Sequence, residues 1–173
     1  MDSPFFQNQK KYFDIKELNI SYHKKINDIL QECFGVTRSY DKDKIHFGKF
    51  DLISYLNVTP MSIELGGQIY KLGGICSVAT LPIFRDQGNA YALLETALDW
   101  MINKNFDIAV LFAANDKLYQ KLGFVKGPEI LNKVSTSPKE PLPLFIMAKH
   151  LCDPDFELFT EDNLEVWNSL EKF

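Results

Sequence analysis

The part of the sequence best suited to chemistry is the range Ser77 to Ala90, SVATLPIFRDQGNA, which has the residue types of an anion-binding turn. Pro82 suits the end of a strand because it lacks a backbone donor. A helix that begins soon afterwards exposes N–H groups without intrahelical partners at the positive end of its dipole, a place that binds phosphate. Gly88 has no Cβ to obstruct a ligand, and Arg85 and Gln87 offer side-chain donors. An ordinary helix start without a ligand is the alternative.

The elements around this turn are predicted to be a strand, a helix and a second strand. The apolar face of the helix carries Ala90, Leu93, Leu94, Ala97, Leu98 and Met101. The next run, FDIAVLFAA, is apolar through its centre, which is typical of a strand buried on both faces. A strand, a crossover helix and another strand imply a parallel pair. We therefore expect the turn to lie within a parallel βαβ unit.

The chain before this unit is predicted to be mostly antiparallel. YFDIKELNI can form a strand, Ser21 is the predicted N-cap of the helix that follows it, and Gly35 is its stop. The apolar face of that helix carries Ile26, Ile29, Leu30 and Cys33. Four short β-rich runs come next, FDLISYLNV, MSIEL, QIYKL and ICSVATL. Gly66–Gly67 predicts a tight hairpin, and Gly73–Gly74 predicts a turn or a bulge.

Beyond the βαβ unit the sequence predicts two further helices and one more strand. Asn115 is the predicted cap of a short helix, NDKLYQKL, which Gly123 ends. LFIMAKHL is the last predicted strand, and the tail is predicted to form a helix over Leu164 to Leu170. With 173 residues the chain is long enough for one domain with a substantial core. We therefore expect a single domain over residues 1–173.

The composition excludes several classes of protein. A net charge of -4 argues against a nucleic-acid binder, and a mildly acidic surface is compatible with a cationic amine substrate. Cys33, Cys76 and Cys152 lack metal-ligand spacing, so we expect no metal site and reduced thiols. The N-terminal residues lack the plan of a signal peptide, and no apolar run approaches the roughly 18 residues of a membrane span. We expect a cytoplasmic protein without membrane contact.

Two segments in this order resemble landmarks of the GNAT superfamily of N-acetyltransferases. Arg85 to Ala90, RDQGNA, is similar to the acetyl-coenzyme A signature Arg/Gln-x-x-Gly-x-Gly/Ala. Asn115 to Phe124, NDKLYQKLGF, resembles the helix that ends in Tyr-x-x-x-Gly-Phe. The resemblance covers Ile75 to Val125. It implies a mixed, mostly antiparallel sheet of about six to seven strands flanked by helices, with acetyl-coenzyme A as cosubstrate.

The resemblance also implies roles for the matching residues. The backbone of the strand end would run beside the acetyl and pantetheine arm, and the following turn would hold the pyrophosphate. The residues implied in cofactor binding are Val78, Ala79, Thr80, Arg85, Asp86, Gln87, Gly88, Asn89, Ala90 and Asn115. Asn115 would contact the pantetheine region or cap its helix. Tyr119 would lie near the sulfur and protonate the leaving thiolate, with simple packing on the sheet as the alternative.

The general base and the acceptor stay open at this point. Some family members use a Glu on the strand before the signature, but no carboxylate stands there. Glu64 on a neighbouring strand is the candidate base, with a solvated hairpin position as the alternative. His46 is a second candidate base, with an ordinary structural or surface histidine as the alternative. Cys76 could suggest a covalent acyl-enzyme, but a small buried strand residue is the simpler interpretation. The aromatic residues Tyr40, Phe47 and Tyr55 either line an acceptor pocket or belong to the core.

Three activities are compatible with these patterns. The first is direct transfer of acetyl to a primary amine of a small molecule. The second is acetylation of a protein lysine or N-terminus, and the third is a sensor that binds acetyl-coenzyme A without turnover. A homodimer is expected only by analogy with the family.

Overall fold

The computed structural model describes residues 15–134, 143–152 and 157–170. Within these ranges the strands are β1 (Ile15–Leu18), β2 (Ile45–Lys49), β3 (Ser54–Leu65), β4 (Gln68–Thr80), β5 (Ile108–Ala113), β6 (Val125–Lys126), β7 (Lys133–Val134) and β8 (Pro143–His150). The α-helices are α1 (His23–Phe34), α2 (Asn89–Asn103), α3 (Lys117–Lys121) and α4 (Leu164–Ser169). Residues 12–14 of the first predicted strand lie outside the described ranges.

The strands form one mixed sheet. Seven of them follow one another in the order β1-β2-β3-β4-β5-β8-β6, and β7 also pairs with β8. Every neighbouring pair is antiparallel except β4 and β5, which are joined by α2 and run parallel. The predicted fold class is confirmed, as are the parallel βαβ unit and the mainly antiparallel remainder.

Strands β3 and β4 are longer than the sequence suggested. The four predicted short runs merge into one hairpin, and Gly66 and Gly67 form its turn with φ values of 57° and 79°. Gly73 and Gly74 do not form a turn or bulge, because they pair in register with Pro60 and Thr59 inside the hairpin. That part of the prediction is wrong. A Cβ on Gly73 would lie 2.1 Å from Met101 Cε, so this glycine lets α2 approach the sheet closely.

The two faces of the sheet are covered by different helices. Leu56, Val58 and Ile75 pack with the apolar face of α2 in one buried cluster. Tyr55 and Ala79 pack with α1 on the other face, because neighbouring residues of a strand point to opposite sides. Further along that face, Trp167 of α4 is fully buried in a third cluster. The predicted C-terminal helix is therefore present and packed.

The ends of α1 differ in one respect from the prediction. Asn19, rather than Ser21, is the cap at this end: its Oδ1 accepts a hydrogen bond from Ser21 N at 3.0 Å, in a short 3₁₀ turn before α1. Gly35 ends α1 with a left-handed φ of 70°, as predicted. Residues 36–41, which follow Gly35, form a loop.

No α-helix in the described part of the chain is long and apolar enough to cross a bilayer.

Candidate active site

The two parallel strands separate at the carboxyl end of β4. They pair from Leu72 with Ile108 as far as Ile75 with Leu111. Beyond that point β5 continues beside β8 to Ala113, while residues 76–80 of β4 pair only with β3 among the described strands. A gap therefore opens between the two central strands. Its edge on β4 consists of backbone that has no partner strand on that side.

A bulge lies in β4 at this gap. The register changes from Tyr55 opposite Ala79 to Asn57 opposite Cys76, so β4 contains one additional residue. Ser77 lies in the bulge with a φ of 54°, an uncommon value for a residue other than glycine. A bulge interrupts the regular ladder and re-aims the backbone groups beside it. Val78 follows directly and packs against the cluster under α2.

The turn after β4 leads into the N-terminus of α2. A 3₁₀ turn over Pro82–Phe84 is followed by Gly88, whose φ of 75° suits a residue without a side chain. The amide of Ala92 donates to Gly88 O at 3.0 Å. The amides of the preceding first turn, Asn89 to Tyr91, have no carbonyl of the helix to bind. Together with Gly88 they lie at the helix N-terminus that the sequence predicted as an anion site.

Side chains of the signature hold this turn in shape. Arg85 Nε donates to Thr80 O at 3.1 Å, and Gln87 Nε2 donates to Ile83 O at 3.2 Å. Asn89 is only 5% exposed; its Nδ2 donates to Phe84 O at 2.7 Å and its Oδ1 accepts from Lys49 Nζ at 2.7 Å. The Asn89 side chain therefore stabilises the turn through these two hydrogen bonds. Only its backbone amide remains for a ligand.

The second landmark lies beyond β5. Asn115 Oδ1 accepts a hydrogen bond from Lys117 N at 3.0 Å in the turn just before α3, whose N-cap is the next residue, Asp116. Tyr119 on α3 is half-buried and meets Phe124 edge to face with ring centroids 6.0 Å apart. Burial raises the pKa of Tyr119 to about 12. The phenol therefore keeps its proton throughout the neutral range.

Glu64 does not lie with these residues. It is exposed and pairs with Ile69 beside the turn of the β3–β4 hairpin. Tyr55, opposite the bulge, is nine positions earlier on the same strand, which corresponds to about 30 Å of extended chain. The prediction of Glu64 as a base is therefore not supported, and the alternative of a solvated hairpin residue agrees with its position.

A cavity of about 170 Å³ with both polar and apolar lining residues lies on the α1 side of the sheet next to the bulge. Among its lining residues are His46 of β2, Tyr55 and Asn57 of β3, and Tyr40 of the loop after α1. Tyr40 stacks on His46 with centroids 4.7 Å apart. Of the three aromatic residues considered from sequence, Tyr40 and Tyr55 line this cavity, whereas Phe47 belongs to the core under α2.

The hydrogen bonds of the cavity floor have a fixed direction. His46 Nε2 lies 2.8 Å from Asp41 O, and because a carbonyl can only accept, Nε2 must carry a hydrogen. In the neutral ring Nδ1 is then the acceptor, so Tyr55 Oη donates to it at 2.8 Å. Asn57 Nδ2 in turn donates to Tyr55 Oη at 3.3 Å. Burial raises the pKa of Tyr55 to about 12, which keeps this phenol neutral.

Comparison with known proteins identifies the fold. The family model of the acetyltransferase (GNAT) domain matches residues 14–127, about two thirds of the chain. The chain belongs to the GNAT acetyltransferase family. Membership confirms the resemblance stated from the two landmarks. No curated protein matches the chain.

Solved structures of other GNAT proteins share the architecture. A probable N-acyltransferase of Enterococcus faecalis V583 has a TM-score of 0.60 and 18% identity, with 65% of this chain and 32% of that chain covered. The chain thus spans about a third of that protein. Arabidopsis thaliana NAA60 in complex with acetyl-CoA has a TM-score of 0.65 and 13% identity, with 79% and 97% covered. The ribosomal-protein-S18-alanine N-acetyltransferase of Escherichia coli has a TM-score of 0.61 and 15% identity, with 84% and 98% covered.

Sequence reasoning missed one residue of the GNAT domain's cavity floor and the charges at its edge. Asn57 is 4% exposed and was not considered, although its position two residues after Tyr55 puts both side chains on one face of β3. Arg38 and Lys44 also line the cavity. Burial raises the pKa of the Cys76 thiol, and the charges of Lys44 and Arg38 act in the opposite direction. The loop after α1 therefore brings positive charge toward the bulge.

Proposed function

We propose that this GNAT domain transfers the acetyl group of acetyl-coenzyme A to the primary amine of a small molecule by direct attack. The observation that carries the proposal is the gap between β4 and β5, which has the bulge at Ser77 on its edge and the N-terminus of α2 at its end. Acetyl-coenzyme A carries a thioester and an anionic diphosphate on one extended arm. The thioester would lie beside the bulge, and the diphosphate would bind at the N-terminus of α2.

The turn before α2 is suited to the pyrophosphate. The amides of Gln87 to Ala90 and the outer guanidinium nitrogens of Arg85 are the donors proposed to bind it. Gly88 leaves space for close approach, and Asp86, with a φ of 59°, contributes to the turn. The pantetheine arm is proposed to run along Val78 to Thr80 in the gap, with Asn115 beside it. In support, NAA60 of Arabidopsis was solved in complex with acetyl-CoA.

The acceptor is proposed to enter from the cavity on the α1 side. Tyr55 and Asn57 flank the bulge in the β3–β4 register, so a nucleophile at the cavity floor is next to the backbone beside which the thioester would lie. Positioning of the two reactants supplies a large part of the rate in such transfers. A cavity of about 170 Å³ is smaller than most drug-sized pockets and favours a small molecule over an extended peptide.

His46 is the proposed proton acceptor, and it acts through Tyr55. As the amine attacks, Tyr55 Oη receives its proton and passes its own proton to His46 Nδ1. The resulting imidazolium keeps its hydrogen bond from Nε2 to Asp41 O. Histidine is the side chain that most readily exchanges a proton near neutral pH. The directed bonds from Asn57 to Tyr55 and from Tyr55 to His46 support this route.

Tyr119 is proposed to assist the leaving sulfur. Its pKa of about 12 keeps the phenol protonated throughout the neutral range, and Tyr119 is on the helix beyond the gap. A phenol of such high pKa is a weaker acid than a thiol, whose ordinary pKa is about 8.5. We therefore assign Tyr119 a hydrogen bond to the developing thiolate, and final protonation to the proton released from the amine.

The first experiment is isothermal titration with acetyl-coenzyme A. We expect micromolar binding by the wild type and none by Gly88→Trp, whose side chain would fill the pyrophosphate site. Gly67→Trp is the matched control, because Gly67 also has a positive φ, 79°, and nothing lies within 4 Å of the position that a Cβ would take at this hairpin turn. It should bind as the wild type does.

Two results would contradict the proposal. Absence of binding by a folded wild type would mean that the turn is an ordinary helix start. Equal binding by Gly88→Trp would remove the pyrophosphate assignment. Thiol release with amines then distinguishes an enzyme from a sensor, and acetylation of peptides rather than small amines would favour the protein-modifying alternative. A cytoplasmic location and a homodimer stay predictions.

A further inference from the structure

One buried acceptor at the floor of the cavity has no donor. Asn57 is 4% exposed, and its Oδ1 has no hydrogen-bond partner among the described residues. The nearby Tyr55 hydroxyl cannot serve, because it already donates to His46. A buried carbonyl oxygen without a donor is costly, so a ligand that brings an N–H group is favoured at this point. A primary amine is such a ligand.

Two cations stand at the edge of the same cavity. Arg38 and Lys44 line it, and neither forms an ion pair within the part of the chain that the structure describes. The backbone of Arg38 is held on both sides, since its N–H donates to Asn27 Oδ1 at 2.8 Å and its carbonyl oxygen lies 2.8 Å from His23 Nε2. This end of the cavity is therefore positioned to bind an anionic group.

Asp41 is the one acid among the lining residues, so it offsets only one of these two positive charges. Asp41 Oδ1 accepts a hydrogen bond from Asp43 N at 3.0 Å, which holds the Asp41 carboxylate in its own turn. The cavity is thus locally cationic although the whole chain has a net charge of -4. Nearby positive charge disfavours an ammonium ion and favours the neutral amine, which is the form that attacks a thioester. A polyamine would bring additional positive charge into the same field.

We propose that the acceptor is a small amino acid, with its amine at Asn57 and its carboxylate at Arg38 and Lys44. The volume of about 170 Å³ equals roughly six water molecules at about 30 Å³ each, which suits a molecule of this size. The inference rests on the proposed acetyl transfer.

The amine nitrogen forms a bond with the acetyl carbon, and the carbon–sulfur bond breaks with its electron pair going to sulfur. The proton that leaves nitrogen passes through Tyr55 to His46. The His46 imidazolium then returns to the neutral ring by releasing this proton to the thiolate, and coenzyme A departs as the thiol.

The test compares each amino acid with its amide in a thiol-release assay with acetyl-coenzyme A. Glycine and glycinamide, L-alanine and L-alaninamide, and spermidine are assayed at equal concentrations of neutral amine. We expect kcat/KM to favour the acids over their amides by about tenfold or more, the effect of a charge-assisted bond. Arg38→Gln and Lys44→Gln should lose that preference. Lys42→Gln, an exposed neighbour in the same loop that does not line the cavity, should keep it.

A second variant separates binding from folding. Asn57→Leu keeps the volume and removes both the unpaired acceptor and the hydrogen bond from Asn57 Nδ2 to Tyr55 Oη. These two losses affect stability in opposite directions, so we expect thermal stability without ligand to stay near the wild type. Its kcat/KM for glycine or alanine should fall by about tenfold or more, with acetyl-coenzyme A binding unchanged.

Several outcomes would overturn the inference. Preference for amides or spermidine, or an acid preference that survives in the Arg38→Gln, Lys44→Gln double variant, would exclude an amino acid at this site. Acetyl-coenzyme A binding without turnover of any amino acid would exclude it too, while leaving the cofactor site intact. Loss of acetyl-coenzyme A binding by the wild type would instead remove the proposed function itself.

Discussion

At the scale of single residues, the cavity floor is a chain of donors and acceptors with one direction. The carbonyl of Asp41 determines which nitrogen of His46 carries hydrogen, and this determines that the Tyr55 hydroxyl points toward Nδ1. Tyr55 Oη is left with room to accept from Asn57 and from a substrate. A buried histidine in a purely structural role would need the same hydrogen bonds but not the basicity of its ring.

His46→Gln tests that difference. A glutamine side chain can donate to Asp41 O and accept from Tyr55 while lacking the ability to take a proton. We expect kcat for thiol release to fall by about 10²–10⁴-fold, the usual contribution of a general base. Titration should give an unchanged affinity for acetyl-coenzyme A. His150→Gln, near the opposite end of β5 from the gap, is the control and should retain activity. A kcat close to the wild type in His46→Gln would leave solvent as the base.

At the scale of elements, the approach of α2 to the sheet determines where the N-terminus of this helix lies. Gly73 in β4 faces Met101 of α2, and a Cβ on this glycine would also lie 3.3 Å from Phe106 Cδ1. Met101 is fully buried in the cluster under α2, so its side chain has little room to move. The glycine that looked like a turn residue in the sequence is therefore needed for packing.

Gly73→Ala should destabilise the protein by about 1–3 kcal/mol, the cost of an overpacked core. Urea unfolding measures this as a lower midpoint. Met101→Ala makes space at the same point. The double variant should therefore lose less free energy of unfolding than the two single variants lose together. Gly67→Ala, where no atom lies within 4 Å, is the control for added volume, although its φ of 79° adds backbone strain. Strict additivity of Gly73→Ala and Met101→Ala would contradict the contact.

At the scale of the whole molecule, two buried phenols link stability to pH. Burial raises the pKa of Tyr55 and of Tyr119 from 10.0 to about 12. In the unfolded chain both would lose their protons near pH 10. Between about pH 10 and pH 12 the folded protein therefore binds more protons than the unfolded chain, and its stability must fall as the pH rises.

We expect the free energy of unfolding to be independent of these two groups below pH 10. Above that pH each should lower it by up to about 1.4 kcal/mol per pH unit. Urea unfolding at several pH values between 9 and 11 measures the slope. Tyr55→Phe removes one of the two groups. The slope of the free energy of unfolding against pH should then be shallower by the contribution of that phenol. An identical slope in the wild type and Tyr55→Phe would show that the Tyr55 phenol does not keep its proton in the folded state.

Much of the architecture follows from signals that are local in the sequence. The turn at Gly66–Gly67, the stop at Gly35 and the helix start at Gly88 each depend on a few adjacent residues, and all three are found where expected. The predicted cap at Asn115 is off by one residue, because Asp116 is the N-cap of α3. The buried run of β5 and the apolar face of α2 predicted the parallel pair in the same way. Backbone geometry and hydrophobic periodicity act over short distances, so a sequence reveals them directly.

The sequence by itself thus determined the fold class and the membership of the GNAT family, and it predicted that the turn before α2 binds an anion. Only the tertiary structure decided which distant side chains meet. In the register of one long hairpin, Glu64 lies nine positions along β3 from Tyr55, which is opposite the bulge. The same register puts Asn57 beside the bulge. The cavity combines α1, the loop after it, β2 and β3. Contacts among four separate elements depend on how sheet and helix pack, which no local pattern contains.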